Sequence, residues 1–336
     1  MKIKFSFKFC LFVTLILIIY NHYFNLKLLQ FSCPWPSENG KKVLVIADTH
    51  ITFVWKFNLD RIVRHWEMKN NFEKIVKIYN PDKIYILGDI FDAGLYFEAQ
   101  HYRYMMNEFN YIFGSTKIIK IAGNHDIGYH DDKYTLNRHL FNRNFGSMDV
   151  HIDIYNESSI LSLNSMSLKF DECNFCKRSM NKIKSFSRKI QKDHLNRPVV
   201  LMHFPLYRTS ERDCNVYKPF WITEEIHHIP NNDILSKKSS EFLLQQINPQ
   251  ILITGHMHFH CEIKRTYFND ILTEVNIPSF SFRMNYRAGF ALITLDKIPQ
   301  YSVCELPTEY IFFSIYVFIF FMWFSKLFIY FKCKCM

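Results

Sequence analysis

Val43-Leu44-Val45-Ile46-Ala47-Asp48-Thr49-His50 is the stretch that decides the fold of this chain. Its apolar run, rich in Val and Ile, has the length and composition of a short strand buried on both faces. The acid and the imidazole follow at once, past the carboxyl end of that strand, at the edge where open α/β sheets build their sites. The arrangement recurs. Residues 85–87 run into Gly88-Asp89-Ile90-Phe91-Asp92, 118–122 into Gly123-Asn124-His125-Asp126, 199–202 into His203-Phe204-Pro205, and 251–254 into Gly255-His256-Met257-His258. Residues 60–79 and 236–247 carry helical patterns between these strands, ended by Asn80-Pro81 and Asn248-Pro249. The fold class expected is therefore α/β.

Carboxylate, amide oxygen and imidazole make a mixed O/N donor set suited to Mn²⁺, Fe or Zn²⁺, with no thiolate among them. Each block taken singly has a plainer reading. Asp48 after a strand serves equally as a helix N-cap, Gly88-Asp89 as a turn, and His203 as a hydrogen-bonded core histidine. In series they point to a metal-dependent hydrolase, because two cations sharing a carboxylate acidify water and neutralise charge on a phosphoryl group.

The order of the blocks resembles the calcineurin-like metallophosphoesterase superfamily, whose Asp-x-His, Gly-Asp-x-x-Asp, Gly-Asn-His-Asp/Glu, His and Gly-His-x-His pattern is met at every position. The resemblance implies an αββα sandwich with a dinuclear metal site. One ion would be held by Asp48, His50, Asp89 and His258, the other by Asp89, Asn124, His203 and His256, with Asp89 bridging. His125 would stand near the leaving oxygen as general acid or transition-state donor, with Asp92 orienting its ring. Glycines 88, 123 and 255 would allow the sharp turns that aim the ligands inward. The implied cofactors are two divalent ions, Mn²⁺ first and Fe or Zn²⁺ as alternatives.

Further segments narrow the resemblance. His65-Trp66-Glu67-Met68, Gly123 through His130, His203 through Arg208, Cys261-Glu262 and Ile277-Pro278-Ser279-Phe280-Ser281-Phe282-Arg283 look like the membrane phosphodiesterases that remodel glycosylphosphatidylinositol (GPI) anchors. What this implies is removal of a side-branch ethanolamine phosphate from the second mannose of the anchor, with GPI-anchored proteins as substrates. It also implies work in the early secretory pathway: endoplasmic reticulum (ER) exit sites, the ER–Golgi intermediate compartment and the cis-Golgi. Phe280, Phe282 and Arg283 are expected on the substrate side, rings against sugar faces and guanidinium toward phosphate, with ordinary strand packing as the alternative. A general lumenal phosphatase or phosphodiesterase of the same fold, acting on nucleotides or lipids, is the competing function.

Both ends of the chain read as membrane segments. Residues 9–20 carry no charge, extend less purely to 26, and follow Lys2, Lys4 and Lys8; residues 310–331 are dense in Phe and Ile and contain one charge, Lys326. A span needs about 20 residues. A cleaved signal peptide has the same layout at the N-terminus, but no small-x-small cleavage site follows, which favours an uncleaved anchor. The expected organisation is a cytosolic tip and anchor over 1–29, a lumenal catalytic domain over 30–309, a transmembrane helix over 310–331, and a cytosolic tail over 332–336. Lysines on both outer flanks set that orientation. Lys332-Cys333-Lys334-Cys335-Met336 matches a Lys-x-Lys-x-x retrieval signal, and stop-transfer charge explains the same lysines.

The 336 residues, 49% hydrophobic, suffice for one domain with a sizeable core. The formal charge is +10, yet Lys, Asn, Ile, Phe and Tyr are all abundant together, as compositional drift produces, and neither an aromatic-studded basic stripe nor a nucleic-acid motif accompanies it. A phosphate-rich substrate or the anionic bilayer surface is the expected partner, and nucleic acid is not. Cys33, Cys173, Cys176, Cys214, Cys261 and Cys304 lie between the membrane segments, as a disulfide framework in an oxidising compartment would have them. Cys173-x-x-Cys176 reads as half of that framework, with Cys214 a candidate partner. Asn156-Glu157-Ser158 is a glycosylation sequon if exposed and lumenal.

Overall fold

The computed structural model describes residues 7–19, 31–53, 58–129, 135–146, 149–168, 174–214, 228–282, 284 and 287–334. They form two compact units, Trp35–Glu305 and the joined termini, 1–34 with 306–336. The helices are α1 (Phe7–Ile19), α2 (Leu59–Tyr79), α3 (Ala99–Phe113), the single turn α4 (Asn124–Ile127), α5 (Thr135–Phe145), α6 (Asn174–Lys192), α7 (Lys237–Ile247) and α8 (Glu309–Lys334). The strands are β1 (Lys41–Ile46), β2 (Lys83–Leu87), β3 (Ile118–Ile121), β4 (His151–Tyr155), β5 (Ser158–Ser162), β6 (Val199–Met202), β7 (Ile251–Thr254), β8 (Cys261–Tyr267), β9 (Asp270–Asn276), β10 (Gly289–Leu295) and β11 (Gln300–Glu305).

Two mixed sheets make the larger unit, ordered β11-β10-β1-β2-β3 and β4-β5-β6-β7-β9-β8. Alternation along each strand decides what lies between them. Val43, Val45 and Ala47 of the first sheet share one buried cluster with Leu201, Ile253 and Val275 of the second, while Leu44 and Ile46 on the opposite face are equally buried. Burial on both faces is why these strands read as unbroken apolar runs; each large side chain so buried is worth about 1.5–3 kcal/mol. β1, β2 and β3 are mutually parallel, as are β5, β6, β7 and β9. Their carboxyl ends therefore collect at one edge of each sheet, and the motif residues with them.

Local signals fix the helices. Asn58 caps α2 by accepting from the Arg61 N–H, and Asn80 closes it in a left-handed conformation (φ 44°) with its N–H on the Val76 carbonyl. Ser236 and Asn248 perform the same tasks for α7, and the prolines that follow forbid continuation. α6 buries Cys176, Ile183 and Phe186 on one face, with Cys176 in its first turn.

Two expectations need correction, and a third finds no support among the described residues. Residues 262–267, 271–276 and 290–295 alternate as strands and are expected together in the second sheet; instead β10 pairs antiparallel with β1 and forms the first sheet with β11. A strand's own pattern records how it is buried but not which partner it meets. Cys214 is bonded to Cys261, not to the Cys173–Cys176 pair; Cys33, Cys176 and Cys304 are also disulfide-bonded, and Cys173 lies outside the described residues. Finally, among the described residues no helix is long and apolar enough to cross a membrane, so the flanking transmembrane helices are not found there. α1 has 13 residues, much of the expected first span lies outside the described residues, and the side chains of α8 are described only over 314–328.

Within the terminal unit, Trp323 Nε1 donates to Thr14 Oγ1 at 2.9 Å, and that hydroxyl donates to the Cys10 carbonyl at 2.8 Å. Phe12, Leu15, Phe320, Phe321 and Phe328 are more than half exposed. Asn156 sits exposed in the turn between β4 and β5, and the last two residues of the tail motif lie outside the described residues.

Candidate metal centre

Five of the seven expected ligands, Asp48 (φ 53°), His50 (42°), Asp89 (46°), His256 (70°) and His258 (62°), hold the left-handed backbone conformation. For a residue with a Cβ this costs about 1–2 kcal/mol, and its concentration at one edge of two sheets marks a functional constraint. Gly88, at φ +91°, is where the turn itself needs glycine, since a Cβ there would stand 2.7 Å from the Gly123 nitrogen and 2.8 Å from His203 Nδ1. Gly123 is needed for close approach, because a Cβ would collide with the backbone nitrogen and carboxylate of Asp89.

Hydrogen bonds then set which ring nitrogen faces inward. His203 Nδ1 donates to the Leu87 carbonyl at 2.7 Å, which turns Nε2 inward, 3.3 Å from Asp89 Oδ2 and 3.0 Å from Asn124 Oδ1. The Asn124 amide is held in that sense because its Nδ2 donates to the Tyr129 hydroxyl at 2.9 Å. His256 Nδ1 faces His203 Nε2 at 3.2 Å. On the other side, His50 Nδ1 lies 3.3 Å from Asp92 Oδ1, its Nε2 meets His258 Nε2 at 3.1 Å, and Asp89 Oδ2 is 3.7 Å away. Asp89 Oδ2 thus stands between the two halves, where a bridging ligand belongs. Asp48 Oδ2 accepts the His256 N–H at 2.8 Å, and Asp48 Oδ1, 3.7 Å from His258 Nε2, is buried without a hydrogen-bond partner.

These residues fit two divalent cations. Imidazole nitrogens confronting one another and an orphaned carboxylate oxygen are costly inside a protein and become favourable around a positive charge. The groups Asp48, His50, Asp89, His258 and Asp89, His203, His256 each bring their donor atoms within 4.8 Å of one another. Burial pushes the Asp48 carboxyl up to about 7. For Asp89 burial acts in the same sense, but His203 and His50 hold it well below the usual range. Burial works against a proton on His203, yet Asp89 and Asp48 hold that proton up to about 9; burial and His50 push His258 down to about 3. The donors Asp48, His50, Asp89, Asn124 and His203 are buried, whereas Asp92, His125, His256 and His258 are partly exposed and form the open side.

His125 reaches that open side as expected, with its ring 5.0 Å from that of His50. Its positioning differs from expectation. His125 Nδ1 donates to the backbone carbonyl of Asp92 at 2.7 Å, while the Asp92 carboxylate turns to His50. The carboxylate supports an expected metal ligand, and the main chain orients the His125 ring. Phe280 and Phe282 do not offer ring faces to a sugar: they are 1% and 7% exposed, buried in the loop between β9 and β10. Arg283 lies outside the described residues.

Two residues of the quoted segments that were given no role also matter. Asp126, 1% exposed, accepts N–H groups from Ile90 (3.2 Å), Phe91 (3.0 Å) and Gly123 (2.9 Å), tying two ligand loops together. Burial pushes its carboxyl up to about 6. His65 accepts the Thr52 N–H at Nε2 (3.2 Å) and donates from Nδ1 to Glu108 (2.6 Å), fixing the chain two residues past His50. Their signal in the sequence was an acid or imidazole in or beside an apolar pattern, without a role attached.

Comparison with known proteins agrees with this geometry. Residues 41–260 match the calcineurin-like phosphoesterase family model. The metallophosphoesterase 1 homolog of Caenorhabditis elegans is 32% identical over 329 residues, covering 91% of this chain and 86% of its own. Metallophosphoesterase 1 of Xenopus laevis is 30% identical, covering 82% and 77%, and that of Rattus norvegicus 30%, covering 88% and 82%. The chain therefore belongs to the calcineurin-like phosphoesterases, within the metallophosphoesterase 1 family, and is a metal-dependent phosphoesterase.

Proposed function

We propose that the chain is a two-metal phosphodiesterase that removes side-branch ethanolamine phosphate from the second mannose of the GPI-anchor glycan. The observation carrying this reading is likeness over 91% of the chain to a metallophosphoesterase 1 homolog, which extends past the ligand loops into segments that take no part in metal binding. Asp48, His50, Asp89 and His258 would hold one ion, and Asp89, Asn124, His203 and His256 the other, with Mn²⁺ the first candidate for both. Such ions supply an acidified water and neutralise phosphoryl charge. His125, its Nδ1 proton committed to the Asp92 carbonyl, presents Nε2 on the open side, from which it donates a proton to the departing oxygen.

The same reading places the catalytic domain in the lumen of the early secretory pathway, with GPI-anchored proteins as substrates. Terminal anchors over 9–26 and 310–331 would hold enzyme and substrate to one bilayer and raise their effective concentration. Exposed apolar side chains on both terminal helices support such anchoring, because a helix apolar all round calls for an apolar surrounding.

Purified full-length protein with Mn²⁺ should release ethanolamine phosphate from a GPI glycan, and His125→Ala should slow this about 10²–10⁴-fold while retaining metal. Hydrolysis confined to soluble nucleotides, with the glycan intact, would overturn the substrate assignment in favour of a general phosphoesterase.

A further inference from the structure

Behind the ligand loops lies a charged cluster that the proposed reaction does not use. Glu211 (0% exposed), Glu274 (1%) and Arg208 (6%) are buried together. Val275 points into the space between the sheets, so its neighbour Glu274 points to the other side of β9, under the segment that follows His203. Glu274 Oε1 accepts the Leu206 N–H at 2.8 Å and Arg208 Nη1 at 3.3 Å, and its Oε2 accepts Arg265 Nε at 2.8 Å. Arg208 Nε donates to Glu211 Oε1 at 2.8 Å, and His228 Nε2 donates to the same oxygen at 2.6 Å.

Burying ions in this way earns little stability, since desolvation offsets most of the attraction and apolar residues of similar volume do as well or better. What it provides is directional hydrogen bonding. The connectivity shows what is directed. Leu206 and Arg208 lie three and five residues past His203. Glu274 sits on β9 directly beside β7, whose end carries His256, and the register pairs Leu252 with Glu274. The Cys214–Cys261 disulfide joins the Glu211 segment to the first residue of β8, three residues past His258.

We propose that Glu274, Arg208 and Glu211 are positioning residues that fix the His203 loop against the His256 loop and so set the affinity of the second metal position. This rests on the two-ion reading of the centre. The first position, supplied by Asp48, His50 and His258 with Asp89, takes most of its donors from loops the cluster does not hold.

The test is calorimetric titration of full-length, chelator-treated protein in detergent with Mn²⁺, for the wild type, Glu274→Ala and Glu274→Gln. Wild type should show two sites. Glu274→Ala should keep one at wild-type affinity and weaken the other about 10–100-fold, the usual effect of removing an outer support. Glu274→Gln, which keeps an oxygen for the Leu206 N–H but gives up the charge facing Arg208, should fall between. Should Glu274→Ala fail to fold, Arg208→Lys, which keeps charge but not the fork, serves in its place. Two wild-type affinities in the variants, or equal loss at both sites in step with a lower melting temperature, would overturn the positioning role. A wild type that binds fewer than two ions would overturn the two-ion reading instead.

Discussion

Asp126→Ala should be among the most damaging single changes outside the metal ligands. One carboxylate holds three main-chain donors: the Ile90 and Gly123 N–H groups converge on Oδ2 and the Phe91 N–H on Oδ1. The site is 1% exposed, so alanine leaves all three donors without an acceptor. Each such donor costs about 1–3 kcal/mol. They share one group, and a water entering the void would recover part of the loss, so about 3–5 kcal/mol is the expected total rather than the full sum. For a domain of this size that lowers the melting temperature by roughly 10 °C. Asp126→Asn keeps an oxygen for the converging pair and turns an NH₂ toward Phe91, so about half that loss is expected. Melting curves recorded in chelator separate this from any change in metal binding, and activity should fall further because Asp89 and Asn124 lie on the loops that are tied. A melting temperature within 2 °C of wild type for Asp126→Ala, with and without metal, would refute the reasoning.

His125→Ala should lower turnover about 10²–10⁴-fold with both metals retained, as expected for loss of a proton donor. Asp92→Ala should instead weaken metal binding, because its carboxylate contacts His50, and elemental analysis of the two variants distinguishes these outcomes. Metal affinity should rise with pH across the neutral range. His203 keeps its proton up to about 9 in the metal-free protein and must lose it to become a ligand, so affinity gains up to about tenfold per pH unit below that value. A Mn²⁺ titration that is flat between about pH 6 and 8 would contradict this. Protease treatment of sealed microsomes should spare the catalytic domain and glycosidase should shift its mass through Asn156; digestion in intact vesicles would reverse the proposed topology.

The strands that carry the site are readable because each couples an unbroken apolar run to metal-ligating residue types just past its end, as Val43–Ala47 does for Asp48 and His50. The hairpin of β4 and β5 was not. All five residues of β5 are buried, but three of them are serine, so burial left no apolar pattern to read. β10 showed as a strand and not as the neighbour of β1, since pairing between segments so far apart in the chain depends on the whole sheet. The donor set of the centre followed from motif order, whereas the support of each donor did not. Whether Asp92 orients His125 by its carboxylate or its carbonyl depends on the backbone of one turn, and the partner of Cys214 depends on where β8 begins. Glu211 lies in a segment without an apolar period and Glu274 in an alternating strand, so neither shows its burial locally; the packing of distant segments imposes it.

Anomalous diffraction from crystals grown with Mn²⁺ tests the central claim most directly. Two peaks are predicted, roughly 3.5–4 Å apart. One should lie among Asp48, His50, Asp89 and His258, the other among Asp89, Asn124, His203 and His256, with Asp89 touching both. A single peak, or an ion held without Asp89, would contradict the account.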